Sequence, residues 1–156
     1  MKSISSLTFF LFFSCFLAAQ CPAAPALGNL QSMAKSSSET RKNKIRKQGF
    51  APAGEKATED GKGMISTFQK CSNIDADGKA IFHQMMTSNS NVHEVTFLTI
   101  DEMTFLNLKK EIDDRHNNAG GNTPVVEGKK FRYTFDQINV EGRRFFAVIV
   151  TLKSKF

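Results

Sequence analysis

Hydrophobic and polar positions alternate regularly only in the later part of the chain, from residue 64 onward. Segments that alternate, or that are apolar throughout, are typical of β-strands, and the sequence predicts such strands at 64–73, 79–86, 92–100, 130–138 and 144–152. Asp77-Gly78 between the first two predicts a tight hairpin, because a type I′ turn needs positive φ at both central positions. The last segment is apolar on both faces, which predicts a central strand of its sheet.

One segment, residues 101–116, has helical spacing instead. Its apolar stripe consists of Phe105, Leu108 and Ile112, widened by Met103 and Leu106. Thr99 and Glu102 have the spacing of a capping box, in which each side chain satisfies a backbone N–H that the helix start leaves unpaired. The element order β-β-β-α-β-β predicts an α+β fold in which one helix packs on a mostly antiparallel sheet.

The first 21 residues have the features of a signal peptide. Lys2 provides a positive start, and residues 7–19 form an apolar run that is shorter than the roughly 20 residues a membrane helix needs. We therefore predict a secreted, extracellular protein with no stable membrane span after signal removal. Depending on the cleavage point, Cys21 either remains and can pair with Cys71, or is removed with the signal.

Residues 22–63 are predicted to be a disordered basic spacer or pro-region that precedes a compact domain at 64–156. The segment is rich in Pro, Gly and Ser and has few large apolar side chains, so it cannot bury enough surface to offset the entropy of ordering. Residues 41–47 contain five cations. This cluster is a solvated tether, a patch that binds polyanions, or a processing site at Arg46-Lys47.

Charge is distributed unevenly along a chain whose formal net charge is +6. Residues 61–128 hold 6 basic and 9 acidic side chains, whereas residues 129–156 hold 7 basic and 2 acidic ones. The excess of basic residues in the last two strands therefore predicts a basic face that binds an acidic protein partner, with nucleic acid as the alternative. The predicted face consists of Lys129, Lys130, Arg132, Arg143 and Arg144.

The sequence contains few groups that suit catalysis. It has no P-loop and no GxSxG motif, and its histidines lack the spacing of a zinc-binding helix, so we predict no cofactor and no metal. His83 and His93 are surface or satisfied histidines, or they meet across neighbouring strands. In the second case, Glu94 or Lys79 nearby would assist acid–base cleavage of a phosphodiester, as in secreted ribonucleases.

The segment 124–128, followed by the strand at 130–135, resembles the central hairpin of cystatins, whose inhibitory loop has the pattern Q-x-V-x-G. Val126 and Gly128 match this pattern, and Pro124 stands where the family has Gln. The resemblance implies inhibition of papain-like cysteine proteases through a loop that contains Val126 and Gly128. The element order from residue 79 to 150 also resembles a β-grasp arrangement, which implies topology alone.

Together these features predict a small secreted binding protein without enzymatic activity. The order of signal peptide, disordered basic spacer and compact module resembles the layout of effectors that eukaryotic pathogens secrete. This resemblance implies action on a host protein. The alternatives are a cystatin-like protease inhibitor and a ribonuclease-like or RNA-binding protein.

Overall fold

The structure is a computed structural model that describes residues 24–70, 83–89, 93–118, 123–140 and 142–153. The helices are α1 (Leu27–Ala34), α2 (Ser38–Lys47) and α3 (Glu102–Arg115). The strands are β1 (Ala51–Ala57), β2 (Met64–Lys70), β3 (His83–Ser88), β4 (Glu94–Thr99), β5 (Val125–Glu127), β6 (Phe131–Val140) and β7 (Arg143–Leu152). Within these ranges, no helix is long and apolar enough to cross a membrane.

Several predictions concern segments outside the described residues. They are the signal peptide at 1–21, the pairing of Cys21 with Cys71, and the turn at Asp77-Gly78. They therefore stay predictions.

The strands form one antiparallel sheet in the order β1-β2-β3-β4-β7-β6-β5. The predicted α+β class is confirmed, and so is the antiparallel pairing of β2 with β3. β7 lies between β4 and β6, which confirms its central position. The prediction of a single helix is wrong, because the described residues form three helices.

All three helices pack on the same face of the sheet, here called the helix face. Cross-strand neighbours on this face are buried and continue from strand to strand: Phe68, Met85, Phe97, Val148 and Phe135. Phe105 of α3 stacks on Phe146 of β7, with 5.1 Å between ring centroids. From α1, Gln31 donates a hydrogen bond to the Tyr133 hydroxyl at 2.7 Å. The opposite face of the sheet is called the open face.

The predicted disordered spacer is part of the fold. Residues 24–63 provide α1, α2 and β1, and β1 pairs with β2, so no domain boundary falls at residue 63. The few apolar residues of this segment are spaced so that each short helix buries one side. Leu27, Leu30 and Met33 recur every third residue and are fully buried. Composition alone therefore underestimated what the segment can bury.

Arg41 fixes α2 to the rest of the molecule. It belongs to the predicted basic cluster, yet only 2% of its surface is exposed. Its guanidinium donates hydrogen bonds of 2.7 to 3.2 Å to the Thr87 hydroxyl and to the carbonyl oxygens of Met33, Ser36, Ser88 and Glu94. These acceptors belong to α1, to the segment that follows it, and to β3 and β4. A single buried cation thus connects both N-terminal helices to the sheet.

The helix α3 is close to its predicted range, but its start and its stripe differ from the prediction. Asp101 caps the helix, because its side chain accepts a hydrogen bond from the Met103 N–H at 3.1 Å. Thr99 instead accepts from the Asp101 N–H at 3.0 Å. Met103 and Leu106 do not widen the buried stripe, since they are 62% and 45% exposed.

Candidate functional site: the basic end of the sheet

The predicted basic face does not form as one surface. Arg132 lies at the start of β6 beside Thr151, whereas Arg144 lies near the start of β7 beside Asn139. Because the two strands are antiparallel, these positions are roughly 23 Å apart along the sheet. The alternation of side chains also places Arg132 on the open face and Arg144 on the helix face. Arg143 lies beside Val140 in the register, at the same end as Arg144.

A different set of cations does come together where β6 begins and β7 ends. The set, here called the basic end, consists of Lys129, Lys130, Arg132 and Lys153, gathered around Glu127. With four cations and one carboxylate, the basic end has a net charge of +3.

The turn between β5 and β6 places two of these cations at an exposed tip. The Gly128 N–H donates to the Phe131 carbonyl oxygen at 2.8 Å, which closes a tight turn with Lys129 and Lys130 at its centre. Both lysines are exposed. The Lys153 N–H donates to the Lys130 carbonyl oxygen at 3.0 Å and so attaches the end of β7 to the turn.

Ion pairs orient the remaining cations. Glu127 accepts hydrogen bonds from Lys153 Nζ at 2.6 Å and from Arg132 Nε at 2.5 Å. The bond from Lys153, followed by the bond from Arg132, holds the pKa of Glu127 below its usual value. Lys35 lies on the helix face, where its Nζ is 5.2 Å from the centroid of the buried Phe131 ring, and it does not belong to this cluster. The basic end is therefore an arranged cluster of charges with a single carboxylate at its centre.

Sequence reasoning found part of this cluster. Lys129, Lys130 and Arg132 lie close together in the chain, so their proximity could be expected. Lys153 was missed because only the antiparallel register of β6 with β7 brings it to this turn.

The segment that resembles the cystatin loop has a structural role here. Val126 is 4% exposed and faces the core from β5. Gly128 is buried beneath His116, and a Cβ at this glycine would lie 2.7 Å from His116 Cε1. Neither residue is presented in the way that an inhibitory loop presents residues to a protease cleft. Protease inhibition through Val126 and Gly128 therefore gains no support from this geometry.

The predicted processing site lies at the end of a docked helix. Arg46 and Lys47 are exposed in the last turn of α2, but Ile45 beside them is fully buried. The Arg46 guanidinium lies 5.9 Å from the centroid of the Phe68 ring. A convertase that needs an extended chain would first have to unwind this helix. Processing at Arg46-Lys47 stays a prediction.

The two histidines of the hypothetical ribonuclease site do not meet. His83 pairs with Thr99 at one end of β4, whereas His93 lies just before its other end, roughly 20 Å away along the strand. His83 is 7% exposed and faces the core near Phe97, while His93 is exposed. These two residues are therefore not placed to share a proton-transfer reaction.

The imidazole of His83 is an unusual buried group. Among the residues that the structure describes, its buried Nδ1 has no hydrogen-bond partner. Burial lowers the pKa of His83, and nearby Lys70 lowers it further, while Asp101 acts in the opposite direction. The folded protein consequently binds a proton at His83 less readily than the unfolded chain does.

This difference predicts how His83 affects stability at acidic pH. As pH falls below about 6.5, His83 becomes protonated first in the unfolded chain, which favours unfolding. The substitution His83→Leu removes this contribution, so the variant should lose less stability than the wild type between pH 7 and pH 5. At pH 7 we expect the variant to be as stable as the wild type or about 1 kcal/mol more stable, because an unpartnered polar atom is removed. Urea denaturation across this pH range measures both effects, and parallel losses in the two proteins would contradict the prediction.

In the parts of the chain that the structure describes, no three His, Cys, Asp or Glu side chains are grouped so that they could hold a metal ion. Comparison with protein families, with curated proteins and with solved structures finds no match. The function of this chain therefore has to be inferred from its own residues.

Proposed function

We propose that this protein is a small secreted binding protein without enzymatic activity, and that its basic end binds an acidic surface on a partner protein. The observation that carries this proposal is the net charge of +3 gathered around Glu127. Clustered charges of one sign raise the rate of encounter with an oppositely charged partner and exclude partners of like charge.

The geometry of the basic end suits binding at a tip. Lys129 and Lys130 extend from the turn between β5 and β6, where neither is held in an ion pair among the described contacts. Arg132 and Lys153 are held by Glu127 beside them. Because these two side chains are already oriented, binding costs less conformational entropy than it would for free side chains.

An acidic protein fits this site better than a nucleic acid does. Proteins that bind single-stranded nucleic acid place exposed aromatic rings among their cations, so that bases can stack on them. The aromatic residues of β6 all face the core, and Phe131, Tyr133 and Phe135 are 6%, 0% and 7% exposed. The basic end therefore lacks a stacking surface from the aromatic rings of β6.

The proposed role is that of an effector that acts on a host protein. The predicted signal peptide at 1–21 supports secretion, and a compact module with a localised basic end supports action through contact with another protein. From this layout we infer that the partner is a host protein.

A charge reversal at the tip tests the proposal. We compare the double variant Lys129→Glu/Lys130→Glu with the control Lys56→Glu/Lys62→Glu, which changes the net charge equally at exposed positions in β1 and after it. An acidic protein captured from host extract or extracellular fluid should bind the tip variant at least about tenfold more weakly. The control variant should bind it like the wild type, and added salt should weaken both interactions.

Three outcomes would contradict the proposal. Equal loss of binding in both variants would show that binding depends on the net charge and on no particular site. Capture that nuclease abolishes would indicate nucleic acid as the partner. Capture that depends on neither variant would place the contact elsewhere on the molecule.

A further inference from the structure

The strand β5 is the edge strand of the sheet beside the basic end. The Pro124 carbonyl oxygen accepts a hydrogen bond from β6 at 2.8 Å, and the Gly128 N–H donates one to β6 at the same distance. Opposed residues of an antiparallel pair alternate between positions that exchange hydrogen bonds and positions that do not. Positions 124, 126 and 128 therefore direct their backbone groups to β6, and Val125 and Glu127 direct theirs away from the sheet.

The outward backbone groups of β5 are exposed and unpaired. Val125 is 39% exposed and Glu127 is exposed, whereas Val126 between them is buried. Among the residues that the structure describes, none forms a hydrogen bond with the outward N–H and carbonyl groups of Val125 or Glu127. An unpaired row of alternating donors and acceptors is a template for another extended chain.

Pro124 does not protect this edge. Its carbonyl oxygen points to β6, so the donor that proline lacks would also have pointed to β6. The opposite edge strand, β1, differs, because a bulge between Pro52 and Gly54 interrupts its register and Lys56 follows on the same strand. Bulges and edge lysines discourage pairing with another chain. Of the two edges of the described sheet, β5 is therefore the one that suits an added strand.

The charges beside β5 lie at one end of it. Lys129 and Lys130 follow Glu127 at the exposed tip, whereas residues 123–125 at the other end carry no charge. The Glu127 carboxylate is directed to the open face, where it is held in two ion pairs. An added strand therefore meets a carboxylate directly opposite Glu127 and two cations just beyond it.

We propose that an extended segment of the acidic partner pairs with β5 as an additional strand of the sheet. This inference rests on the proposed function, because it specifies how the acidic partner contacts the basic end. The pairing is antiparallel, as it is throughout the described sheet, and antiparallel pairing is slightly the more stable form per residue. The segment then runs from the tip toward Val125, and its backbone exchanges hydrogen bonds with Val125 and Glu127. Because β5 offers only these two pairing positions, side-chain contacts have to add to the affinity.

The pairing specifies which side chains the segment carries. The residue opposite Glu127 lies beside its carboxylate, where an acidic side chain would be repelled. Two positions earlier, the segment reaches Lys129 and Lys130, and an acidic side chain there gains from their charge. Two positions later, a β-branched apolar residue packs beside Val125. The segment therefore carries an acidic residue four positions before a β-branched apolar one.

A second copy of this chain fits the edge less well. Twofold pairing of β5 with itself places Glu127 of each copy opposite Val125 of the other, and Lys129 opposite Thr123. The tip lysines then meet no carboxylate. An acidic segment of another protein supplies that group, so the charges favour it as the occupant of this edge.

A synthetic peptide tests the added strand. The probe EESTTVT, with blocked ends, carries its second glutamate four positions before valine, so its fourth and sixth residues lie opposite Glu127 and Val125. Methylation of the backbone nitrogens of these two residues removes the N–H groups that face β5 and should weaken binding at least about tenfold in calorimetry. Methylation of the third and fifth residues, whose N–H groups face away, is the matched control and should change binding by less than about threefold.

A matched pair of variants tests the protein side. Val125→Pro removes an outward N–H and no hydrogen bond to β6, and it should weaken binding of the probe and of the captured acidic protein at least about tenfold. Val125→Thr keeps the N–H and should bind like the wild type. Thermal unfolding checks that both variants fold. In the wild type, bound probe should slow hydrogen exchange of the Val125 and Glu127 amides, which contact through the lysines alone would leave unchanged.

Four outcomes would overturn the added strand or the proposal beneath it. Binding that needs Lys129 and Lys130 but is equal for the two methylated probes, or for Val125→Pro and Val125→Thr, would overturn the added strand and leave the basic end as the binding site. Equal binding of the reversed peptide TVTTSEE would overturn the antiparallel direction, since a parallel strand would bring its glutamates to the tip. A probe that does not bind at about 1 mM would overturn the inference. An acidic protein captured equally well by the Lys129→Glu/Lys130→Glu variant would contradict the proposed function itself.

Discussion

Removing residues 1–47 is expected to unfold the protein. The truncated chain lacks α1 and α2, and with them the buried apolar side chains of Leu27, Leu30, Met33, Ala34 and Ile45. The four larger side chains each contribute about 1.5–3 kcal/mol through burial, for a total of about 6–12 kcal/mol. That loss is comparable with the whole free energy of unfolding of a typical domain, about 5–15 kcal/mol.

Near-ultraviolet circular dichroism and urea denaturation measure this effect, with a chain that begins at residue 24 as the control. The control should unfold cooperatively, whereas the truncated chain should lack fixed tertiary structure and bind a hydrophobic dye. If the truncated chain unfolds cooperatively at the same urea concentration as the control, residues 24–47 are a dispensable spacer after all. The result also bears on processing, because cleavage after Lys47 would produce this truncated chain.

Arg41→Met is expected to lower the free energy of unfolding by about 3–5 kcal/mol. Methionine keeps much of the apolar stem but donates no hydrogen bond, so the five oxygen atoms that the guanidinium satisfies lose this donor. The bonds to the Met33 carbonyl oxygen and the Thr87 hydroxyl are buried and the other three are partly buried, so leaving these acceptors without a donor is costly. The substitution should also loosen α1, because Arg41 donates to the Met33 carbonyl oxygen.

Lys47→Met is the matched control, since Lys47 is an exposed cation on the same helix. It should change the free energy of unfolding by no more than about 0.5 kcal/mol. Urea denaturation of both variants gives the comparison. A loss below about 1 kcal/mol for Arg41→Met would mean that this side chain does not connect the helices to the sheet.

The predictions from sequence succeeded where the alternation of hydrophobic and polar residues extends over enough positions to be recognised. The alternation of Phe131, Tyr133 and Phe135 identified the buried side of β6, and the doubly apolar character of β7 identified its central place. They failed where elements were short. β5 has only three residues, and α1 has eight, so the recurrence of its apolar residues covers only about two turns.

The basic cluster at residues 41–47 shows why composition led to the wrong prediction of a disordered spacer. Arg41 counts as a charge in any average over residues 22–63, yet it is buried and satisfied. Lys42 is likewise engaged, in an ion pair of 2.9 Å with Glu55. These contacts depend on how α2 lies against the sheet, which no local pattern specifies.

The sequence predicted only part of the candidate site, because a local pattern does not show which residues the strand register brings together. Lys129, Lys130 and Arg132 are near neighbours in the chain, so their grouping follows from the sequence. Arg144 was added on charge alone, although the direction of β7 places it at the far end of the sheet. Lys153 belongs to the site through that same antiparallel register.

Zero-length crosslinking of lysine amines to partner carboxylates tests the central proposal most directly. The captured acidic protein is mixed with this chain, and the linked peptides are identified by mass spectrometry. Binding through the basic end predicts links from Lys129 and Lys130 to Asp or Glu side chains of the partner, and these links should disappear at high salt. Links confined to Lys56 and Lys62, with none from the tip, would contradict it.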